Sequence, residues 1–398
     1  MKKALMYGGG NIGRGFIGQV LCESGYEVSF VDVNKELVST LNKEGQYPVR
    51  ILKGEGFEEV IVNHVSAIDG TDIEAVSDAI SGSDLCATAV GVNVLKFIAK
   101  PFKEGIVKRF TIGNKKPLDI IICENLIGAD EYLKGLIKDL MTEEEKKYLE
   151  NVGFVEASIG RMVPVQTDEM KDGNPLRVCV ESYNRLPVDK AAFKGEIPAI
   201  ENLVPYTPFS YYIERKLFVH NMGHAACAYL GKYCGKEFIY EAINIPEVEL
   251  IVIRAMTESI NAMSKKYSVD TDPLFRHVEN LIYRFSNKQL GDTASRVGGD
   301  IKRKLSPNDR LVGAYNLCKE MGTDNTYIAL AIAASLLFER EGEEKLKPEY
   351  ILTEISKIEK DSEDYKKIMN IYDCFKEGKS LNQILKEVKE QQNKIMIV

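Results

Sequence analysis

Gly8-Gly9-Gly10-Asn11-Ile12-Gly13 follows the apolar run Ala4-Leu5-Met6-Tyr7 and leads into Arg14-Gly15-Phe16-Ile17-Gly18. The run reads as a strand over Lys3–Tyr7, and Ile12–Ser24 reads as a helix. Gly8, Gly10 and Gly13 fit G-x-G-x-x-G, in which the first glycine permits a tight turn. The second lets backbone approach a pyrophosphate, and the third lets helix and sheet pack closely. Free N–H groups at the helix N-terminus then favour an anion. Asp32 ends the next strand, Val28-Ser29-Phe30-Val31-Asp32. A carboxylate there accepts hydrogen bonds from ribose hydroxyls and repels a 2′-phosphate. The stretch therefore predicts a dinucleotide site made by Gly8, Gly9, Gly10, Asn11, Ile12, Gly13 and Asp32, with NAD favoured over NADP.

Outward from that turn, short apolar runs alternate with helical patterns as far as residue 155. Strands are expected at 27–31, 84–90 and 119–123, and helices at 35–42, 94–102, 131–140 and 143–149. Tyr47–Ile51 and Glu58–His64 suggest an added β excursion. Buried strands alternating with helices indicate a parallel, doubly wound sheet. From Phe154 to Val188 the pattern turns to β, and the chain near its end and beyond is punctuated by prolines at 187, 198, 205 and 208. Beyond Pro208 the pattern is almost wholly helical. The expected architecture is α/β, an expanded Rossmann-type domain over 1–207 followed by a mostly helical domain over 208–398.

The chain's 398 residues carry 52 Lys+Arg against 59 Asp+Glu, a net charge of −7. Two domains suit this length, and the acidity disfavours a nucleic-acid partner. No run reaches the roughly 18–20 apolar residues of a membrane span, and Met1-Lys2-Lys3 leads into no apolar signal region. The eight cysteines are scattered, without a Cys-x-x-Cys. Thiols in a reducing cytoplasm are expected.

In open α/β sheets ligands bind beyond the carboxyl ends of strands. That places Val90, in Ala87-Thr88-Ala89-Val90-Gly91, and Asn125, in Cys123-Glu124-Asn125, near the cofactor, although Val90's loop reads equally well as a plain strand end. A second chemical cluster opens the helical region: Glu214-Arg215-Lys216-Leu217-Phe218-Val219-His220-Asn221-Met222-Gly223-His224. At about 100° per residue, Lys216 and His224 fall about 80° apart and Asn221 about 60° beyond. One broad face can carry all three. His220 and His224 are four apart, but Asn221 stands where a metalloprotease helix needs Glu. No cysteine pair completes a zinc set, so no metal is expected. Arg296, Lys302, Arg303, Lys304 and Arg310 form a basic run opposed only by Asp300 and Asp309. Such a run alone reads as a solvated helix face.

Lys216-x4-Asn221-x2-His224 resembles the active-site motif of the polyol-specific long-chain dehydrogenases, the mannitol dehydrogenase family. Gly8 to Gly18 is similar to the N-terminus of the branch of that family acting on phosphorylated mannitol. So are Arg284-Phe285-Ser286-Asn287 and Arg303-Lys304-Leu305-Ser306-Pro307-Asn308-Asp309-Arg310. The resemblance spans essentially the whole chain. Two positions depart from it: Gly160, before Arg161, replaces the family's aspartate, and Gly299 replaces a common basic residue.

The resemblance implies metal-independent, NAD-dependent interconversion of mannitol 1-phosphate and fructose 6-phosphate. Lys216 would be the general base, Asn125 and Asn221 donors to the developing alkoxide, and His224 an orienting group. It also turns the basic run into a phosphate subsite, with Arg303 and Lys304 the first choices. A small-molecule sugar phosphate is the expected partner, with no nucleic acid or membrane, for a monomer or small homo-oligomer. Two alternatives stay open: a relative acting on mannitol, arabinitol or fructuronate, and a non-catalytic NAD-binding regulator.

Overall fold

The computed structural model describes residues 1–396 and divides the chain into two compact units, Met1–Tyr212 and the chain from Ile213 onward. Among the described residues the first unit contains eleven strands. They are β1 (Lys2–Tyr7), β2 (Tyr26–Asp32), β3 (Gln46–Lys53), β4 (Gly56–Asn63), β5 (Val65–Asp69) and β6 (Leu85–Thr88). β7 (Leu118–Ile122), β8 (Val152–Glu156), β9 (Val178–Glu181), β10 (Leu186–Asp189) and β11 (Leu203–Tyr206) complete the set.

Six of them form one parallel sheet in the order β5-β2-β1-β6-β7-β8. The chain starts at the centre, winds outward to β5, then crosses back to β6 and winds the other way. The crevice of such a sheet opens beyond β1 and β6, where the winding reverses. Both faces are covered, so the strands read as nearly continuous apolar runs. Ala4 and Met6 pack with Phe16, Val20 and Phe30 on one face. Leu5 and Tyr7 pack with Ile98, Phe102 and Ile120 on the other.

The expected β excursion is an antiparallel hairpin of β3 and β4, with β9 added parallel to β3. The β pattern from Phe154 begins within β8, which pairs parallel to β7 at the edge of the main sheet. The helix expected to stop at Phe102 continues as Leu95–Thr111 through Pro101. Its buried residues, among them Ile98, Phe102 and Ile106, explain why. Their burial outweighs the one helix bond that a proline removes.

The second unit is helical. A continuous helical stretch runs from Ser210 to Tyr233, and the long helix Pro246–Tyr267 and the helices Thr271–Phe285, Val312–Met321 and Thr326–Ser335 are major parts of the unit. Thr326–Ser335 is buried at every residue, as its apolar composition requires. No helix among the described residues is long and apolar enough to cross a membrane.

Candidate functional site

In the first unit the glycine turn has the geometry its sequence predicts. Gly8 has φ +103°, and a Cβ there would lie 2.4 Å from the Ala89 carbonyl oxygen. A Cβ on Gly13 would lie 1.9 Å from the Gly8 oxygen, so only glycine lets the helix start this close to β1. A Cβ on Gly10 would meet nothing within 4 Å. Asp32, at the end of β2, accepts from the Gly9 N–H at 2.9 Å and from the Asn34 N–H at 2.9 Å. Arg14 is buried and reaches back to donate to the Gly9 carbonyl at 2.7 Å. The turn is thus held from both sides.

Val90 and Asn125 sit on the loops after β6 and β7, and the residue between them in space is Glu124. Its buried carboxylate accepts from the Val90 N–H at 2.9 Å and the Gly91 N–H at 2.8 Å, joining the two loops. Hydrogen bonds to a charged acceptor contribute about 1.5–3 kcal/mol each. At the loop's other end Glu156, on β8, accepts from the Gly128 N–H at 2.9 Å. Asn125 itself is exposed between these anchors. Neither glutamate stands out in the sequence, because each acts through backbone that only the folded loops bring near.

Burial pushes the Glu156 carboxyl up to about 7, with Asp130 and Asp189 adding to the effect. An ordinary glutamate titrates near 4.5. Between these values the folded chain holds a proton that the unfolded chain has released, so this group's contribution to stability falls as pH rises through 7. Glu156→Gln, uncharged throughout, is expected to flatten the dependence of Tm on pH between about 5 and 8. A variant profile as steep as the wild-type one would exclude Glu156 as its source.

In the second unit Lys216, Asn221 and His224 lie on one helical stretch, and all three are half-buried while Phe218, Val219, His220, Met222 and Gly223 are buried. The segment Arg215–Asn221 is a π-helix rather than the expected α-helix. Its i→i+5 bonding puts residues five apart about one turn from each other. Asn221 therefore stacks along the axis near Lys216 instead of lying well around the helix. Single π-turns inside α-helices often occur at functional sites.

His224 stacks on Phe285, centroids 4.9 Å apart, and its Nε2 lies 3.4 Å from Asp292 Oδ2. Burial alone would raise the Asp292 carboxyl. Its bond to His224 and the charges of His224 and Arg296 instead hold it below its ordinary value. Buried His220 is pushed well down, first by burial and then by Arg284, His224, His277 and Lys216. His277 follows the same pattern with Arg215 and Arg284. Lys216 is among the charges that lower His220, so the two side chains lie close enough to interact.

The basic run divides. Lys304 is buried, and its ammonium donates to the carbonyls of Val297 and Gly299. Burial pushes it down to about 8. In that geometry Lys304 caps the preceding turn. Arg303 pairs with Asp300 at 2.6 Å and Asp309 at 3.5 Å. Among the described residues no three or more His, Cys, Asp or Glu side chains group as a metal site. A cavity of about 660 Å³ beside Leu336, Phe338 and Ile351 holds none of the candidate residues. Its rim cations Lys302, Arg340 and Lys345 each pair with a glutamate.

Residues 2–202 match the mannitol dehydrogenase Rossmann domain, and residues 209–396 match the mannitol dehydrogenase C-terminal domain. A mannitol-1-phosphate 5-dehydrogenase of Brevibacillus brevis is 41% identical over 337 residues, covering 84% of this chain and 86% of that one. A substrate-free D-sorbitol dehydrogenase superposes with a TM-score of 0.80 at 16% identity, covering 94% of this chain and 93% of its own. The Pseudomonas fluorescens mannitol 2-dehydrogenase, solved with NAD and D-mannitol, gives 0.71 at 15%, covering 98% and 94%. At these identities the two structures establish the shared fold.

Proposed function

The chain belongs to the mannitol dehydrogenase family, and from that premise we propose that it is an NAD-dependent oxidoreductase interconverting mannitol 1-phosphate and fructose 6-phosphate. The similarity to the Brevibacillus brevis enzyme over most of both chains supports the substrate. What supports the chemistry is that Lys216, Asn221 and His224 lie half-buried along one helical stretch.

The residues present fit a dinucleotide. The space around Gly10, the close approach at Gly13 and the carboxylate of Asp32 suit a pyrophosphate and a ribose diol. Gly8 to Gly13, Asp32 and Val90 would hold it. Bound NAD supplies the hydride acceptor. The chain's own part is proton transfer and charge stabilisation. Lys216, as neutral amine, accepts the proton of the substrate hydroxyl being oxidised. Free lysine titrates near ~10.4, so the charged form must be disfavoured. Half-burial on the helical stretch would act in that direction. Asn125 and Asn221 donate to the oxygen as it gains negative charge, and His224, oriented by Asp292, directs the substrate's oxygens. Arg303 is the proposed phosphate contact, exchanging a carboxylate for the phosphate through the same planar fork.

NADH oxidation at 340 nm, compared for fructose 6-phosphate and fructose, tests the reading. The phosphate is expected to raise kcat/KM at least about 100-fold, the effect of one or two charge-assisted bonds. Equal values would replace the sugar phosphate with a free polyol or a hexuronate as substrate. Binding of NADH without turnover of any of these compounds would favour the regulator.

A further inference from the structure

We infer that Ser259 is a positioning residue for proton transfer: its hydroxyl holds the Phe218 carbonyl and so maintains the π-turn that stacks Asn221 near Lys216. The inference rests on the proposed roles of Lys216 and Asn221. Three observations carry it. First, the Met222 N–H donates to the carbonyls of Leu217 and Val219 and skips that of Phe218, its usual α-helical acceptor. Second, Ser259, fully buried on the helix Pro246–Tyr267, donates its hydroxyl to that skipped carbonyl at 2.8 Å. Third, the Phe218 ring is packed against Gly313, where a Cβ would approach it to 2.6 Å. Phe218 is therefore held by its carbonyl from one helix and by its ring from another.

The first unit uses the same device. Its glycine-rich helix begins with a π-turn over Gly13–Gly18. Two of the carbonyls there are taken by buried side chains from elsewhere in the unit. Tyr47 Oη donates to the Arg14 carbonyl at 2.7 Å, and Arg161 donates to the Gly15 carbonyl at 3.0 Å. In both units a widened turn next to proposed site residues is stabilised by a side chain outside the helix. Without such a partner, relaxation to α geometry would swing Asn221 to about 140° from Lys216, since five residues advance about 500°. The two groups would then lie at opposite edges of a broad face instead of one above the other, poorly placed to share one oxygen.

Ser259 touches neither substrate nor cofactor in this scheme, so its effect should appear in turnover rather than in cofactor binding. Ser259→Ala is expected to lower kcat with fructose 6-phosphate at least tenfold, with KM for NADH within twofold of wild type. Ser259→Thr, which keeps the hydroxyl, is expected to recover most of the loss. A folded Ser259→Ala enzyme with kcat within twofold of wild type overturns the inference. Should that variant fail to fold, Gly313→Ala decides. Its methyl presses on the Phe218 ring and is expected to lower kcat while sparing KM for NADH, and an unchanged kcat overturns the inference. A Lys216→Ala control separates the two levels. If it stays active, the reading of the base fails. If it is inactive while Ser259→Ala is normal, only the role of Ser259 fails.

Discussion

Replacing Lys216 with alanine is expected to reduce kcat by about 10²–10⁴-fold near neutral pH, the range associated with loss of a positioned general base. NADH should still bind, because the residues proposed to hold it lie in the first unit and are untouched. Fluorescence titration with NADH and steady-state kinetics on the same preparation would separate the two effects. The pH dependence gives a second signature. In the direction of polyol oxidation the base must be neutral, so wild-type kcat should rise with pH until the amine has lost its proton and then level off. The variant should lose that limb. Turnover close to wild type in Lys216→Ala, with the limb intact, would remove Lys216 from the chemistry and leave another group to accept the proton.

Asn221→Ala is expected to cost about 10²–10³ in kcat, or about 2.7–4 kcal/mol of barrier, the usual effect of removing one donor from a developing oxyanion. On the proposed reading the π-turn gives this residue its importance: stacked one turn from Lys216, its amide would reach the oxygen whose proton the amine takes. Asn125→Ala should behave alike if both amides share that oxygen. The two losses should then combine to less than their sum, since neighbouring groups acting on one atom are not additive. Rapid-quench or stopped-flow measurement of the hydride step would keep product release from masking the effect. A kcat reduced less than threefold in Asn221→Ala would show that the amide is not a donor to the reacting oxygen.

Much of this site is legible from local chemistry. Gly8, Gly10 and Gly13 need no neighbour to be recognised, because turn geometry and close approach are demanded of those positions themselves. Asp32 is legible because it closes the strand that follows the glycine turn's helix, at the spacing a ribose-binding carboxylate takes. Asn125 is placed at a strand end, while Lys216, Asn221 and His224 gain their proposed roles from the family motif they resemble. Lys304 shows the limit of such reasoning. The basic run around it reads alone as a solvated helix face and, by family resemblance, as a phosphate subsite, while the fold turns its ammonium onto the Val297 and Gly299 carbonyls. Glu124, Glu156, Asp292 and Ser259 carry no signal of their own, since each acts on a partner distant in sequence.

Periodicity, glycine spacing and strand-end carboxylates are near-neighbour properties, and they suffice for a doubly wound sheet, a dinucleotide turn and a helical second half. The width of a helical turn is not such a property. Whether residues 215–221 wind as α or π depends on whether a hydroxyl from another helix waits at the Phe218 carbonyl and whether a glycine makes room for its ring. Those partners meet only after long-range packing. The chain order therefore names the groups proposed to do chemistry, while the packing of distant helices sets how the helical turn that carries them is wound.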